Sequence, residues 1–189
     1  MKNKNAIMQA LPIVAAHYAS MLGVNVKIGN RACTDGETIW LPNLSSESNS
    51  MKMVWGYLIH EASHCRYSDY NKDFRKELGS QSNFVIGTTN LFEDIRIERN
   101  IGYEFPGTVK DLNSLVESMV DLGFFRAPGD DAHPAELLSS YLLHNLRNKI
   151  LSQPISGLAE RTTSVVRTAL PKGLITRIEV LMRKVVKLQ

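Results

Sequence analysis

The sequence of 189 residues contains few cysteines and no long run of apolar residues. Its two cysteines, Cys33 and Cys65, form neither a disulfide framework nor a CxxC pair, which favours a reducing compartment. Nowhere do the roughly 18 consecutive apolar residues of a membrane-spanning helix occur, and the N-terminal residues are too polar for a signal peptide. We therefore expect a soluble, cytoplasmic protein that has no membrane partner.

A strong excess of charge and a glycine-rich phosphate loop are also missing. The net charge of +3 is too small to indicate a nucleic-acid partner, and without a phosphate loop nucleotide hydrolysis is not expected. The charge is nevertheless uneven, because every charged residue from Arg161 onward is basic apart from Glu179. This pattern indicates either a solvated helix face or a docking surface for an acidic partner or a nucleic acid.

The pattern of apolar residues predicts a mixed fold that is mostly helical. Helical spacing over residues 5–22 predicts a helix that Gly23 ends, and alternation from Val24 to Ile28 predicts a strand. A second strand over residues 38–41 would form a hairpin with the first, or lie beside it. Further helices are predicted over residues 51–66, from Thr88 or Thr89 to Ile101, and over residues 108–122, 134–151, 156–169 and 172–188.

These elements place the chain in the α+β class, with a small N-terminal β-sheet and a helical C-terminal half. Residues 1–125 are predicted to form the core domain, and residues 126–189 a helical C-terminal subdomain. The polar segment between Tyr67 and Ser82 is expected to be partly helical.

The strongest chemical signal is His60-Glu-Ala-Ser-His64, within the helix predicted over residues 51–66. Residues four apart lie on one face of a helix, so both imidazoles can bind one metal ion. Glu61 is placed to take a proton from a water molecule that the metal activates. The preceding residues are uncharged, which indicates a buried helix whose polar groups need partners. The alternative is a pair of core histidines that ordinary hydrogen bonds satisfy.

A third ligand is expected from the polar residues between Asn90 and Glu98. On a helical wheel of about 100° per residue, Asn90, Asp94 and Glu98 fall within the apolar arc of their helix, where polar groups are costly unless something uses them. Asp94 is therefore the preferred third ligand, with Glu93 as the alternative, and Glu98 is expected to hydrogen-bond a ligand histidine. The alternative is that these carboxylates bind no metal, lie on the helix surface and form ion pairs with neighbouring arginines.

Together, His60-Glu61-x-x-His64 and Asn90-x-x-Glu93-Asp94-x-Arg96-x-Glu98 resemble the gluzincin-type metallopeptidase domains of phages and bacteria. Those domains are often described as similar to the CobT subunit of cobaltochelatase, and they often precede a von Willebrand A domain. Residues 34–42 resemble the strand pair before their active helix, and the whole resemblance covers about residues 24–107. One departure concerns the glutamate ligand of such zincins, which an aspartate often follows four residues later. Here Ile97 follows Glu93 at that spacing.

The resemblance implies a zincin-like fold and a zinc metalloendopeptidase, with Zn²⁺ as cofactor and a protein or peptide as substrate. His60, His64 and either Asp94 or Glu93 would hold the ion, and Glu61 would be the general base. The alternative is a metal-binding interaction module with little activity, which assembles with a von Willebrand A or ATPase partner.

Several other residues are weaker candidates. Tyr67, Tyr103 or Arg96 would be placed to stabilise an oxyanion, although each is more often structural. Cys65 is expected to pack as a small apolar residue. Two further histidines are expected to be ordinary surface or capping residues, namely His133 and His144.

Overall fold

The computed structural model describes residues 2–43 and 48–188. Along these residues the elements are α1 (Lys2–Ala19), β1 (Asn25–Gly29), β2 (Cys33–Thr34), β3 (Thr38–Pro42), α2 (Ser48–Tyr67), α3 (Lys72–Gly79), α4 (Asn83–Glu104), α5 (Thr108–Asp121), α6 (Pro134–Lys149), α7 (Ser156–Ala169) and α8 (Lys172–Leu188). The predicted mostly helical α+β class, with its small N-terminal sheet, is confirmed. None of the helices in the described part of the chain has the length and apolar character needed to cross a membrane.

The three strands form one sheet in the order β1-β3-β2. Strand β1 runs parallel to β3, with Val26 opposite Ile39, so these two predicted strands are neighbours and do not form a hairpin. The hairpin joins β2 to β3, because the Asp35 carboxylate accepts hydrogen bonds from the backbone N–H groups of Glu37 at 3.0 Å and Thr38 at 2.8 Å. These hydrogen bonds lower the pKa of Asp35.

The described residues form two compact units, and the first comprises Met1–Glu77 and Ile97–Ser118. Its main core joins α1, β3 and α2 through the fully buried Leu11, Ile39 and Leu58. A smaller cluster contains Ile59 of α2 with Ile101 and Leu112, so the opposite side of α2 is covered as well. Helix α2 is therefore packed on two sides, which holds its remaining polar side chains in fixed positions.

The second unit comprises Leu78–Arg96 and Met119–Gln189. Its core joins residues of α4, α6, α7 and α8, and the buried members are Leu91, Ile95, Leu137, Tyr141, Leu142, Leu146, Val166, Leu170, Ile175 and Met182. The two units are interleaved in the sequence, whereas the predicted boundary at residues 125 and 126 divides the chain once. Helix α4 supplies residues to both units.

Five predicted helix ends are wrong by three residues or more: α1 and α2 each begin three residues earlier than predicted, α4 continues past Ile101 to Glu104, and the end of α1 and the start of α4 differ for local reasons. Helix α1 ends at Ala19, before Gly23, because Ser20 takes a left-handed conformation (φ 53°) and the Met21 N–H bonds the Ala16 carbonyl at 3.2 Å. Helix α4 begins at Asn83 and not near Thr88, since Ser82 caps it through its side-chain oxygen and its carbonyl. The predicted helices that became α5, α6, α7 and α8 are confirmed to within two residues at each end.

Candidate metal centre

Helix α2 presents His60 and His64 side by side. Their ring centroids lie 4.9 Å apart, with the ring planes at 84° to each other. The neighbouring Leu58, Ile59 and Ala62 are buried in the core of the first unit, which fixes the rotation of the helix about its axis. The side-by-side rings follow from the spacing of four residues on a helix whose other faces are packed.

Each imidazole has a hydrogen-bonding partner at Nδ1. The Nδ1 atom of His60 lies 2.9 Å from Oε1 of Glu98 on α4, and the Nδ1 atom of His64 lies 2.9 Å from Oγ of Ser68. The Glu98 side chain is only 3% exposed. In protein metal sites, a histidine ligand usually donates one ring N–H to such a partner and binds the ion through the other nitrogen. The predicted contact of Glu98 with a histidine is present, whereas the Ser68 contact was not predicted from the sequence.

Asp94 meets the two histidines, as its place one helical turn before Glu98 suggests. Ligand atoms of His60, His64 and Asp94 all lie within 4.8 Å of one another. Around an ion bound at about 2.0–2.2 Å, ligand atoms are about 3–4 Å apart, so small side-chain movements would close this group on an ion. Two imidazoles and a carboxylate are a donor set that zinc accepts in catalytic sites. His60, His64 and Asp94 could therefore hold a metal ion.

The alternative ligand, Glu93, is placed differently. Its carboxylate accepts hydrogen bonds from Arg96 on the same helix, from Nε at 2.8 Å and from Nη2 at 2.6 Å. These bonds raise the pKa of the Arg96 guanidinium. Asn90, the third polar residue of the predicted arc, is exposed, so its expected place in a buried arc is wrong. A helical wheel assumes that one face of a helix is buried along its full length. Of the three polar residues on this face, Asp94 is partly buried and Glu98 is buried, whereas Asn90 lies beyond the buried part.

Glu61 is buried, with 6% of its surface exposed, and its charge acts on Tyr57, Cys65 and Tyr70. Burial and then the negative charge of Glu61 raise the pKa of Tyr57. The pKa of Tyr70 is raised as well, first by burial, then by the nearby Cys65 and Glu61. Both phenols therefore keep their protons at neutral pH. Neither tyrosine was singled out from the sequence. A Cβ atom added at Gly36 would lie 3.0 Å from the Tyr70 ring, so the glycine leaves room for that ring beside the hairpin.

The weaker candidates lie outside the metal group. Cys65 is 3.2 Å from the Thr34 hydroxyl, and burial raises its pKa. Tyr67 donates a hydrogen bond to the Glu104 carboxylate at 2.5 Å, which together with burial raises its pKa to about 12. Tyr103 is largely exposed, at 79%. Of the three suggested oxyanion-stabilising residues, Tyr67 and Arg96 are thus paired with carboxylates.

Two other histidines, His133 and His144, differ from each other. His133 is the N-cap of α6 and accepts a hydrogen bond from the Ala135 N–H at 3.2 Å, which confirms the predicted capping role. For His144 the predicted surface or capping role is wrong, because this residue is only 1% exposed and its Nδ1 lies 2.8 Å from the Thr162 hydroxyl. Burial, and then the charge of Arg147, lower the pKa of His144 to about 4.

Comparison with known proteins adds no assignment to this geometry. No protein-family model, no curated protein and no solved structure matches the chain.

Proposed function

We propose that the chain is a zinc-dependent peptide hydrolase. His60, His64 and Asp94 would hold the ion, and Glu61 would act as general base. The observation that carries this proposal is the meeting of three metal-ligating side chains from α2 and α4, with the buried Glu98 bonded to His60. An orienting carboxylate behind a histidine is typical of metal sites, whereas two core histidines would not need a third acidic neighbour.

The chain's own residues have distinct tasks in this proposal. A bound zinc ion would supply Lewis acidity, which lowers the pKa of water and polarises a peptide carbonyl. Glu61, adjacent to His60 in sequence, accepts the proton of the attacking water and passes it to the leaving amine. Glu98 and Ser68 hold the two imidazoles in one orientation and one tautomer.

The variant Glu61→Gln tests the proposal, because it removes the base and keeps the size of the side chain. We expect it to retain about one zinc per chain and to lose hydrolysis of quenched fluorescent peptides by at least about 100-fold, as general-base catalysis contributes roughly 10²–10⁴. The matched control is Glu117→Gln, the same change at an exposed position of α5, which should leave both readouts unchanged.

Two results would contradict the proposal. If His60→Ala binds as much zinc as the wild type in elemental analysis, the metal site is assigned to the wrong residues. If the wild type binds zinc and cleaves no member of a broad peptide library, the chain is the metal-binding interaction module that the sequence also allows.

A further inference from the structure

A groove on the second unit lies between α6 and α8. Its volume is about 430 Å³. The floor is apolar and consists of Leu146, Ile150 and Met182, and three basic residues, Lys149, Arg183 and Lys187, form most of its rim. This α6/α8 groove contains part of the basic C-terminal run that the sequence predicted to be either a solvated face or a docking surface.

Among the described residues that line the α6/α8 groove, one is acidic, Glu179, and its carboxylate already has partners within the protein. Glu179 accepts a hydrogen bond from the Tyr141 hydroxyl at 2.8 Å, and its other oxygen lies 4.0 Å from Arg183. The charge of Lys149 is not balanced in this way, because no carboxylate in the described part of the chain forms an ion pair with it. The rim therefore carries an excess of positive charge above an apolar floor.

A second cavity of about 540 Å³ shares Lys149 and Glu179 with the groove. Its other lining residues are mostly polar and include Asn145, Thr163 and Arg167. The recessed surface thus changes from apolar to polar along its length, and in the polar cavity Glu160 and Glu179 offset Lys149 and Arg167, so the excess of positive charge lies at the rim of the α6/α8 groove. An extended or helical segment with an apolar side chain flanked by carboxylates complements the apolar floor and the basic rim of the α6/α8 groove.

We propose that the α6/α8 groove binds an acidic peptide segment of a partner protein. An apolar side chain of the segment packs on the floor of the groove, and carboxylates of the same segment face Lys149, Arg183 and Lys187. An apolar floor offers nothing to the phosphates of a nucleic acid, for which charge alone supplies most of the affinity. A membrane surface binds apolar protein faces that protrude, whereas a recess binds a single side chain. The shape of the groove therefore favours a peptide over a lipid surface.

The test uses the full chain and labelled synthetic peptides of 15 residues. Each peptide carries glutamates and a single apolar anchor, which is leucine, phenylalanine or tryptophan, and binding is followed by fluorescence anisotropy. We expect at least one peptide to bind saturably and more weakly as salt increases. The double variant Lys149→Glu/Arg183→Glu should weaken that binding at least about tenfold, because it reverses two charges at the rim.

The matched control is Arg177→Glu/Lys184→Glu. It exchanges the same residue types on exposed positions of α8 that do not line the groove, so net charge and composition are the same as in the rim variant. We expect it to change the affinity by no more than about twofold. If the rim variant fails to fold by circular dichroism, Lys187→Glu against Lys184→Glu answers the same question.

Three results would overturn the proposal. One is equal weakening by the rim variant and its control, which would show general attraction to a basic surface. Another is the absence of saturable binding by all three peptides. The third is tight binding to phosphatidylserine vesicles or to a 20-base-pair DNA duplex with none to the peptides, since the groove would then serve a membrane or a nucleic acid.

Discussion

Asp94 and Glu98 lie one helical turn apart on α4 and meet the histidines of α2 in different ways. A carboxylate oxygen of Asp94 lies within 4.8 Å of ligand atoms of His60 and His64, while Glu98 is hydrogen-bonded to Nδ1 of His60. Glu93, although adjacent in sequence, is held by Arg96. A difference of one residue on a helix is about 100°, which is enough to separate a residue of the possible metal group from one that forms an ion pair with Arg96.

The first prediction follows from these three carboxylates. Asp94→Ala should reduce zinc affinity more than about 100-fold, and Glu98→Ala by about 10–100-fold, since an orienting partner costs less than a ligand. Glu93→Ala should leave the affinity nearly unchanged. Competition with a chromogenic zinc chelator measures all three. The reverse order, with Glu93→Ala emptying the site and Asp94→Ala keeping its zinc, would contradict the assignment.

The second prediction concerns His144, which is neutral and buried against Thr162 in the folded protein. Its pKa is lowered from 6.5 to about 4. Below pH 6.5 His144 binds a proton in the unfolded chain, whereas in the folded chain it stays neutral until about pH 4. The free energy of unfolding therefore decreases as the pH falls from 6.5 to about 4. The shift corresponds to about 3 kcal/mol at most.

Urea unfolding measures this contribution when the wild type and His144→Gln are compared between pH 7 and pH 4. A chelator is present throughout, so that bound metal does not contribute. The glutamine keeps a hydrogen-bonding group and does not titrate in this range. We expect the stability of the wild type relative to the variant to fall by up to about 3 kcal/mol across the window. A pH-independent difference between the two proteins would show that His144 is not a buried neutral group.

At the scale of the elements, the sequence predicts those features that depend on local periodicity, namely the positions of helices and the face of a helix on which a residue lies. The last four helices follow from their apolar spacing and from turn residues such as Gly129 and Pro171. The pairing of Asp94 with the histidine helix follows from a wheel, because a helix has one fixed rotation per residue. Properties set by tertiary contacts were missed. The exposure of Asn90, the burial of His144 and the parallel pairing of β1 with β3 all depend on which surface another element covers.

The third prediction uses two helical glycines with opposite surroundings. A Cβ atom at Gly56 of α2 would lie 2.5 Å from Cβ of Leu115 and 2.9 Å from the carbonyl oxygen of Asp111, so α5 packs directly on the glycine backbone. Gly56→Ala should therefore destabilise the protein by about 1–3 kcal/mol through overpacking. Gly87→Ala on α4 meets nothing within 4 Å and should stabilise it by about 0.5–1 kcal/mol.

Chemical unfolding of the two alanine variants checks this pair, and each serves as the control of the other. An equal gain in the free energy of unfolding would mean that helix propensity alone decides both positions, and an equal loss would contradict the prediction for Gly87. Gly56→Ala should also lower zinc affinity, since a displaced α2 carries its two histidines with it.

At the scale of the whole molecule, the two units share one helix. Helix α4 places Ile95 in the core of the second unit and Ile101 in that of the first. Unwinding α4 would remove a fully buried isoleucine from each core, which costs several kcal/mol per core by analogy with large-to-small core substitutions of about 2–5 kcal/mol. A ligand that binds side chains of α4 therefore stabilises a helix on which both cores depend.

The fourth prediction is that zinc raises the unfolding temperature of both units together. A ligand at about 100 times its Kd adds about 2.7 kcal/mol, which for a chain of this size is roughly 5–10 °C.

Fluorescence of the two tryptophans, Trp40 and Trp55, reports on the first unit, because both lie in Met1–Glu77. Circular dichroism at 222 nm follows the second unit in addition, through α6, α7 and α8. Both signals should shift equally with zinc in the wild type and in Glu61→Gln, and neither should shift in His64→Ala or with magnesium in place of zinc. A zinc-dependent shift of the tryptophan signal, with only part of the circular dichroism transition shifting, would show that the two units unfold independently although they share α4.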